Sequence, residues 1–516
     1  MSNSDGLQKK RVFLSSALAI ASFALNVIFG FWSSPFIVSK LGAEAYGFST
    51  LGGNITTYMS LVTVAINSFA ARYITIALQQ KDTEKANRYF TSVFYANLMI
   101  AAVMLIPSAV VVWKLQSFFA VPPSLTVDVQ FQWGLLFAGW IADLVFKVFS
   151  TATFAKNRLD INHGLTALSN LLRFVVILIL FLGFDAHLWY IGVAAVICAV
   201  FVDVGYFISQ RRLMPEVRIR RRYFDWKSLG ELMVKGVWNS INQLSSLLIN
   251  GCNLMITNWV VNAQMMGFYS VAQTIPTYLQ SLMYTICDVF NPNLTICYAN
   301  GRNDQVRDGL KFSIKFNSLL LLVPLMGFFV YGVDFYRLWQ YSLGEQEINT
   351  VFHLSSLVIL PMISSVFVQP LLTVNTITAR LKVPVFVNLI IGVSNIILVL
   401  VLTSVTDWGV FAIAGVSSVL ILLRNYCFYP IYSAQNLQLP IGTFYPILLR
   451  GTATGAVVFC FLYITHLFLH ITCWMQLLLY AVIFGLFAEV LVFLLMLDRD
   501  DKRQVWNVLK TKVLRR

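Results

Sequence analysis

The sequence predicts an all-α polytopic membrane protein with about 14 transmembrane helices, built as two parallel six-helix repeats plus two C-terminal helices. Of its 516 residues, 58% are hydrophobic and only 12% are charged, whereas soluble proteins carry about 25% charged residues. Long uncharged segments recur along the chain, and roughly 20 apolar residues suffice to cross the hydrocarbon core. The chain also resembles itself at a shift of about 220 residues.

The helices follow in order from apolar segments separated by short polar turns. The first begins after Lys9, Lys10 and Arg11 and stays apolar to Val38, much longer than the roughly 7–15 residues of a signal-peptide core. We therefore expect a first transmembrane helix and no cleaved leader. The predicted spans are 12–38, 47–78, 89–113, 128–155, 164–184, 189–209, 232–259, 266–298, 310–334, 350–378, 384–405, 408–432, 445–468 and 474–497.

Lysine and arginine predict the orientation, because cytoplasmic loops are enriched in both. With a cytoplasmic N-terminus, 28 of the 37 lysines and arginines fall in cytoplasmic segments and three fall outside. We therefore expect both termini in the cytoplasm. The net charge of +14 then reflects topology, and no nucleic-acid partner is expected. The segment RRLMPEVRIRRR (211–222) suits contact with anionic membrane lipids, with partner docking as the alternative.

The internal repeat predicts the domain organisation. LGAEAYGFSTL (41–51) aligns with VNAQMMGFYSV (261–271), including Gly47 with Gly267. Six helices separate the repeat starts, so both halves enter the membrane from the same side, as in transporters that rock two halves about a central site. The expected division is a six-helix lobe at 1–209, a basic cytoplasmic linker at 210–231, a second lobe at 232–432, two added helices at 433–497 and a basic cytoplasmic tail at 498–516.

A polar stripe marks the seventh predicted helix, VWNSINQLSSLLINGCNLMITNW (237–259). In a regular α-helix its members fall within an arc of roughly 80°: Asn239, Gln243, Ser246, Asn250, Asn253 and Thr257, with Lys235 one turn earlier. Unsatisfied amides in hydrocarbon are costly, so the stripe should face a wet cavity or serve as interhelical hydrogen-bonding glue. A matching small and polar face on the first helix includes Asn26.

Ionisable residues within predicted spans are further candidates, because such groups are rare in membranes without a function. Arg173 and Arg424 are candidate substrate cations. Possible ion-coupling or ion-pairing residues are Asp143, Lys147, Asp203 and Asp288. Asp143 and Lys147 are expected to pair at i,i+4 spacing, and Arg450 is a candidate partner of Glu489. An excess of buried cations suits an anionic substrate such as a phosphate head group.

The sequence favours a protein that is not an enzyme and has no cofactor. It contains no HExxH, GxSxG or P-loop motif. Its seven cysteines show no CxxC or Cys/His spacing, so neither a disulfide framework nor a metal site is expected.

Two segments resemble a known family. SPFIVSKLGAEAYGFSTL and AKNRLDINH resemble the polysaccharide transporter (Wzx-type) flippases of the multidrug/oligosaccharidyl-lipid/polysaccharide exporter superfamily. The resemblance covers essentially the whole chain. It implies MATE-like lobes around a cavity and flipping of undecaprenyl-diphosphate-linked sugar repeat units across a bacterial cytoplasmic membrane. It also implies lipid-linked oligosaccharide and membrane lipids as partners, with polysaccharide polymerase and chain-length proteins as further candidates. H⁺ or Na⁺ coupling is a separate possibility.

Two alternatives stay open. One is a cation-coupled multidrug exporter of the same fold, although such exporters usually carry an acidic residue in their first helix and this chain has none there. The other is a non-transporting membrane component of a polysaccharide assembly complex. Lipid II flippases also resemble the chain, but their first helix carries charged residues that are absent here.

Overall fold

The computed structural model describes residues 2–499 and 501–502, with side chains from residue 18 onwards except residue 20. The predicted tail beyond residue 502, and the side chains of Lys9, Lys10 and Arg11, lie outside the described part. Within it the regular structure is helical, which confirms the predicted fold class.

The α-helices are numbered in chain order. They are α1 Ser2–Gln79, α2 Thr83–Trp113, α3 Leu115–Phe118, α4 Thr126–Phe146, α5 Thr151–Ala155, α6 Leu159–Gly183, α7 Trp189–Leu213, α8 Trp226–Ser246, α9 Asn253–Val260, α10 Ala263–Ala272, α11 Thr274–Asp288, α12 Asn291–Ala299, α13 Asn303–Trp339, α14 Glu345–Ile377, α15 Lys382–Val405, α16 Val410–Cys427, α17 Tyr429–Asn436, α18 Tyr445–His466 and α19 Trp474–Met496. Short 3₁₀ turns occupy 147–150, 221–223 and 441–444.

Among the described residues, eleven helices are long and apolar enough to cross a membrane, judged by length and composition. The first of them is interrupted at Gly42, whose φ of 86° lies in the left-handed region that glycine tolerates best. This kink separates the predicted spans 12–38 and 47–78. The predicted spans 232–259 and 266–298 are each divided into shorter helices, so 14 is an approximate count.

The described residues form two compact units, one within 1–271 together with 385–397 and the other within 272–384 together with 398–502. These units are defined by contacts in space, whereas the lobes 1–209 and 232–432 are predicted from the sequence repeat. The lobes therefore stay a prediction. In the first unit, one core cluster around Tyr89 and Phe90 is built from α1, α2, α5 and α8 with the 3₁₀ turn 147–150 and the linker after α7. In the second, α13 and α14 supply about half of a core to which α11, α12, α17, α18 and α19 also contribute.

The basic segment 210–231 is packed onto the first unit. Met214 and Val217 are buried, and the side-chain amide of Gln210 donates to their carbonyls at 3.2 and 2.8 Å. The backbone N–H of Arg218 donates to Asn87 Oδ1 at 2.7 Å. The six arginines of 211–222 are exposed. The linker thus presents its charges from a backbone held in place by polar and apolar contacts.

The start of α8 is fixed by its cap, Asp225. Its carboxylate accepts the N–H groups of Lys227 and Ser228 at 3.0 and 3.1 Å, an arrangement typical of helix N-termini. The Ser228 hydroxyl also donates to it, and this bond is the main reason that the pKa of Asp225 is lowered from its ordinary value.

The repeat-equivalent residues Gly47 and Gly267 pack directly against each other. A methyl group on Gly47 would lie 2.9 Å from the Gly267 Cα, and one on Gly267 would lie 2.5 Å from the Ala43 carbonyl oxygen. The two glycines that the sequence repeat aligns are therefore in direct contact within the first unit. Backbones approach this closely only where side chains are absent, as small residues allow in membrane helices.

A second close approach, on α8, generates a stability prediction. A methyl on Gly236 would lie 1.8 Å from the Ala65 carbonyl oxygen, whereas one on Gly230 would meet nothing within 4 Å. Overpacking costs about 1–3 kcal/mol, while Gly→Ala in a helix otherwise gains roughly 0.5–1 kcal/mol. We expect Gly236→Ala to lower the unfolding temperature of the purified protein in detergent and Gly230→Ala to leave it equal or higher. Equal values for the two variants would contradict this packing.

Candidate functional site

The polar stripe does not lie on one regular α-helix, so that part of the prediction is wrong. Residues 247–251 form a π-turn between α8 and α9, and the N–H of Cys252 donates five residues back to the Leu247 carbonyl at 3.0 Å. A π-turn takes more residues per turn than an α-helix. The side chains after it are therefore rotated relative to the face that a regular 100° periodicity predicts.

Two side chains from other helices donate hydrogen bonds to backbone carbonyls of the π-turn. The amide of Asn395, on α15, donates to the carbonyls of Leu248 and Ile249 at 3.2 Å each. The Tyr58 hydroxyl donates to the Gly251 carbonyl. Gly392, one turn before Asn395, brings α15 close, since a methyl there would lie 2.6 Å from the Leu248 side chain. The turn is thus held from two sides by other parts of the first unit.

The stripe divides into an exposed part and a buried part at the π-turn. Before it, Lys235 is exposed, and Asn239 and Gln243 are partly exposed. Asn250, within the turn, is exposed. After it, Asn253 is 2% exposed and its amide donates to the Tyr269 hydroxyl at 3.2 Å.

The buried part serves packing. The Thr257 hydroxyl donates to the Asn253 carbonyl at 2.7 Å, and Asn258 accepts the Ala120 N–H at 2.9 Å. The interhelical-glue alternative therefore describes the segment after the π-turn, while the residues up to Asn250 retain an accessible polar face.

The second half of α1 contributes polar groups beside this face. Gln243 lies 3.5 Å from the Ser60 hydroxyl, and Thr57, one turn before Ser60, is exposed. In the first half of α1, Asn26 is exposed. The first unit thus carries an accessible surface of amides and hydroxyls on α1 and α8, with Lys235 on it.

Sequence reasoning missed a polar face on α11, in the second unit. Its exposed members are spaced by three, four, one and three residues, which places them on one side of a helix: Thr277, Gln280, Tyr284, Thr285 and Asp288. The same 220-residue shift that aligns Thr57 with Thr277 aligns Ser60 with Gln280. The i,i+3,i+4 pattern of these polar residues was the signal available in the sequence.

Arg424 belongs to this second polar region. It acts electrostatically on Tyr284 of α11, and its guanidinium lies 5.3 Å from the centre of the Tyr429 ring. Asp288, at the end of α11, is exposed and accepts a hydrogen bond from the Asn291 amide at 2.8 Å. The structure therefore brings Arg424 and the α11 face together, a grouping that the sequence analysis did not make.

Arg173 lies on α6 beside the first half of α1. The amide of Asn170, one turn earlier, donates to the Ser22 carbonyl at 3.3 Å, and Phe174 stacks edge-on against Phe29. These contacts place Arg173 at the level of Asn26. Within the described residues Arg173 forms no ion pair, and its buried Nε has no hydrogen-bond partner.

The remaining intramembrane charges include one correction. Asp143 and Lys147 form the ion pair that their spacing predicts, with 3.6 Å between Oδ2 and Nζ. Arg450 does not pair with Glu489. Its guanidinium binds Asp498 at 2.6 Å, just beyond the end of α19. Lys315 also binds Asp498, and the two cations hold the pKa of that carboxyl at about 2.

A family model described as a polysaccharide biosynthesis protein matches residues 53–346. Among curated proteins, the chain is similar to the uncharacterized membrane protein EpsK of Bacillus subtilis (strain 168). The two are 29% identical over 416 residues, which cover 81% of this chain and 82% of the relative.

Solved structures share the fold. An inward-facing multidrug resistance MATE family transporter of the MOP superfamily has a TM-score of 0.64 at 12% identity and covers 83% of this chain and 98% of its own. The lipid II flippase MurJ, in an inward closed conformation, has a TM-score of 0.64 at 14% identity and covers 92% of this chain and 97% of its own. At these identities the likeness concerns the fold.

The π-turn generates a prediction. Replacing Asn395 by Leu removes the donor to two buried carbonyls, and leaving buried acceptors unpaired costs about 1–3 kcal/mol each. We expect a lower unfolding temperature and faster amide hydrogen exchange at 247–252. Thr403→Val is a matched control on α15, because among the described residues the Thr403 hydroxyl bonds only carbonyls of its own helix. Unchanged exchange in the Asn395 variant would show that this amide does not support the turn.

Proposed function

Because the chain belongs to the polysaccharide biosynthesis protein family, we propose that it is a flippase for undecaprenyl-diphosphate-linked oligosaccharide repeat units. It moves them across the bacterial cytoplasmic membrane by alternating access, for assembly of O-antigen, capsule or exopolysaccharide. Family and fold point to a multi-span membrane transporter rather than an enzyme. The lipid-linked substrate, the route and the energy source belong to the proposal.

The observation that carries the proposal is the pair of accessible polar faces on repeat-equivalent helices, with Thr57 and Ser60 in one unit and Thr277 and Gln280 in the other. Exposing such groups to lipid is costly, so they suit surfaces in contact with water or a polar substrate. Amides both donate and accept hydrogen bonds, which matches the hydroxyl groups of a sugar. Asn250 adds an amide to the face of the first unit.

Three cations suit the diphosphate. Arginine can bind phosphate oxygens in a bidentate manner, and Arg173 has a buried Nε without a partner among the described residues. Arg424 lies with the polar residues of α11. Lys235 is exposed on α8 and would meet the head group at the cytoplasmic side. In this proposal sugars contact the amides while the diphosphate contacts these side chains.

The predicted topology completes the proposal. Both termini are cytoplasmic, and the lobes 1–209 and 232–432 move relative to each other about the substrate. The exposed arginines of 211–222 contact anionic lipids at the cytoplasmic surface. Polysaccharide polymerase and chain-length proteins are the expected partners on the outer side, where the repeat unit is released.

Reconstitution in liposomes tests the function directly. A fluorescent lipid-linked oligosaccharide is placed in both leaflets, and the fraction accessible to an impermeant quencher or sugar-modifying enzyme is followed over time. We expect transbilayer movement well above that of protein-free vesicles. Movement equal to empty vesicles, with folded protein verified, would favour the non-transporting assembly component. Drug efflux without oligosaccharide movement would favour the multidrug exporter.

Variants at Asn250 test the polar face. Loss of one hydrogen bond to substrate in a site shielded from water costs about 1–2 kcal/mol, or roughly five- to thirtyfold in rate. We expect Asn250→Leu to reduce flipping by that amount and Asn250→Gln, which keeps the amide, to retain most of it. Both variants should insert and unfold like the wild type. Full activity of Asn250→Leu would remove this residue from the substrate path.

Arg173 provides a test of the diphosphate contact. Hydrogen bonds to charged groups contribute about 1.5–3 kcal/mol, so Arg173→Ala should lower flipping by at least roughly tenfold. Arg173→Lys keeps the charge but not the bidentate geometry, so its flipping rate should lie between those of the wild type and Arg173→Ala. Surface polysaccharide in cells and flipping in liposomes should fall together. A wild-type rate for Arg173→Ala would contradict the assignment.

A further inference from the structure

Asp203 is a buried carboxylate without a hydrogen-bond partner. It lies in α7, is 3% exposed, and neither of its oxygens accepts a hydrogen bond within the part of the chain that the structure describes. An ionised carboxylate in such a place is strongly disfavoured unless it is paired. This group therefore needs either a proton or a nearby positive charge.

The packing of α4 against α7 places a second carboxylate at the same level. Gly192 of α7 packs against Gln132 of α4, and seven residues further on each helix Ala199 packs against Gly139. The two helices thus run in register and in the same direction. Four residues later on each come Asp143 and Asp203.

Around Asp203, charged and titratable groups are carried by three packed elements and by α7 itself. Those on the packed elements and on α7 itself are Asp128 and Asp143 of α4, Lys147 of the 3₁₀ turn, Asp160, His163 and Arg173 of α6, and Tyr190, Cys198, Tyr206, Arg211 and Arg212 of α7; α5 carries none. Asp143 and Lys147 act electrostatically on Asp203. The carboxylates of Asp143 and Asp203 both act electrostatically on Tyr206. Asp160 is held by Arg158, and Asp128 by His187.

Two carboxylates therefore lie within electrostatic range of one ammonium group, which pairs with only one of them in this structure. Lys147 binds Asp143 at 3.6 Å, and these two side chains are 52% and 38% exposed. When Asp203 carries a proton, the cluster is neutral and Lys147 can remain with Asp143. When Asp203 loses the proton to water reaching Asp143, the cluster has a charge of −1 and both carboxylates attract the same ammonium.

Lys147 also lies where the α-helical hydrogen bonding between α4 and α5 is interrupted. It is the first residue of the 3₁₀ turn 147–150, which separates α4 from α5. A 3₁₀ segment within a longer helical stretch often marks a hinge. A change in the partner of Lys147 would act directly on this break.

We propose that Asp203 is a proton-binding site whose charge state decides which carboxylate Lys147 pairs with. We propose further that this choice sets the conformation of the 3₁₀ turn at 147–150, which we call the bend. Binding one proton to Asp203 leaves Lys147 on Asp143 and stabilises the arrangement in this structure. Releasing it draws Lys147 toward Asp203 and changes the bend. As the coupling step of transport, this device rests on the proposed function; as a proton site it does not.

Infrared difference spectroscopy of the purified full-length protein tests the proton site without any transport assay. Spectra at acidic minus alkaline pH should show the carbonyl band of protonated carboxylic acids, and Asp203→Asn should remove one component of this band. Glu489→Gln is the matched control, since it removes one partly buried acid from α19 and should leave the Asp203 component. A spectrum that Asp203→Asn does not alter would overturn the proposal.

Hydrogen exchange tests the bend. After correction for the intrinsic effect of pH on exchange, amides of 144–155 should differ between acidic and alkaline pH in the wild type. Asp203→Asn should stay at the acidic level at both pH values, because asparagine is neutral like the protonated acid. Equal pH responses in the wild type and this variant would contradict a switch.

The two proposals are separable in liposomes under a pH gradient. If the wild type flips substrate and Asp203→Asn responds to the gradient as the wild type does, the coupling step is wrong and the flippase stands. If the wild type does not flip substrate but Asp203 loses its infrared band on mutation, the proton site stands and the flippase is wrong.

Discussion

A backbone carbonyl released from its helix inside a bilayer must find another donor, because no water is available there to replace the lost bond. This constraint governs the centre of the first unit. Carbonyls of the π-turn at 247–251 accept hydrogen bonds from Asn395 and Tyr58. The π-turn also determines which residues of the amide-rich segment 237–259 remain exposed. Asn250 lies on the accessible side, and Asn253 is buried against Tyr269.

Close glycine contacts provide the second constraint. Gly47 and Gly267 occupy equivalent places in the repeat and meet each other, so a duplicated sequence motif has become a packing contact. Gly236 brings α8 against α1 in the same way. These contacts fix the helices that carry Thr57, Ser60 and the accessible part of the stripe. The polar face is therefore carried by closely packed helices, and the proposed binding surface would need such support.

The sequence was sufficient for the features that composition and spacing determine. Helix identity, the membrane class and the Asp143–Lys147 pair follow from apolar length and from i,i+4 geometry. The π-turn could not be predicted, because a side chain that donates to its carbonyls, Asn395, is almost 150 residues away in the chain. The predicted pairing of Arg450 with Glu489 was wrong because a competing carboxylate lies just past the end of α19. That carboxylate, Asp498, is more exposed than Glu489 and binds Arg450 instead. The α11 face was missed although its spacing was visible.

The central claim is that the accessible amides of α8 and the π-turn line the substrate path. Thiol protection tests it most directly, with Asn250→Cys in a background in which the seven native cysteines are replaced. In proteoliposomes, a membrane-impermeant thiol reagent should label this cysteine, and lipid-linked oligosaccharide should slow the labelling while the same lipid without sugar does so less. A cysteine that is unreactive from both sides of the membrane, or whose labelling is unaffected by the substrate, would contradict the account.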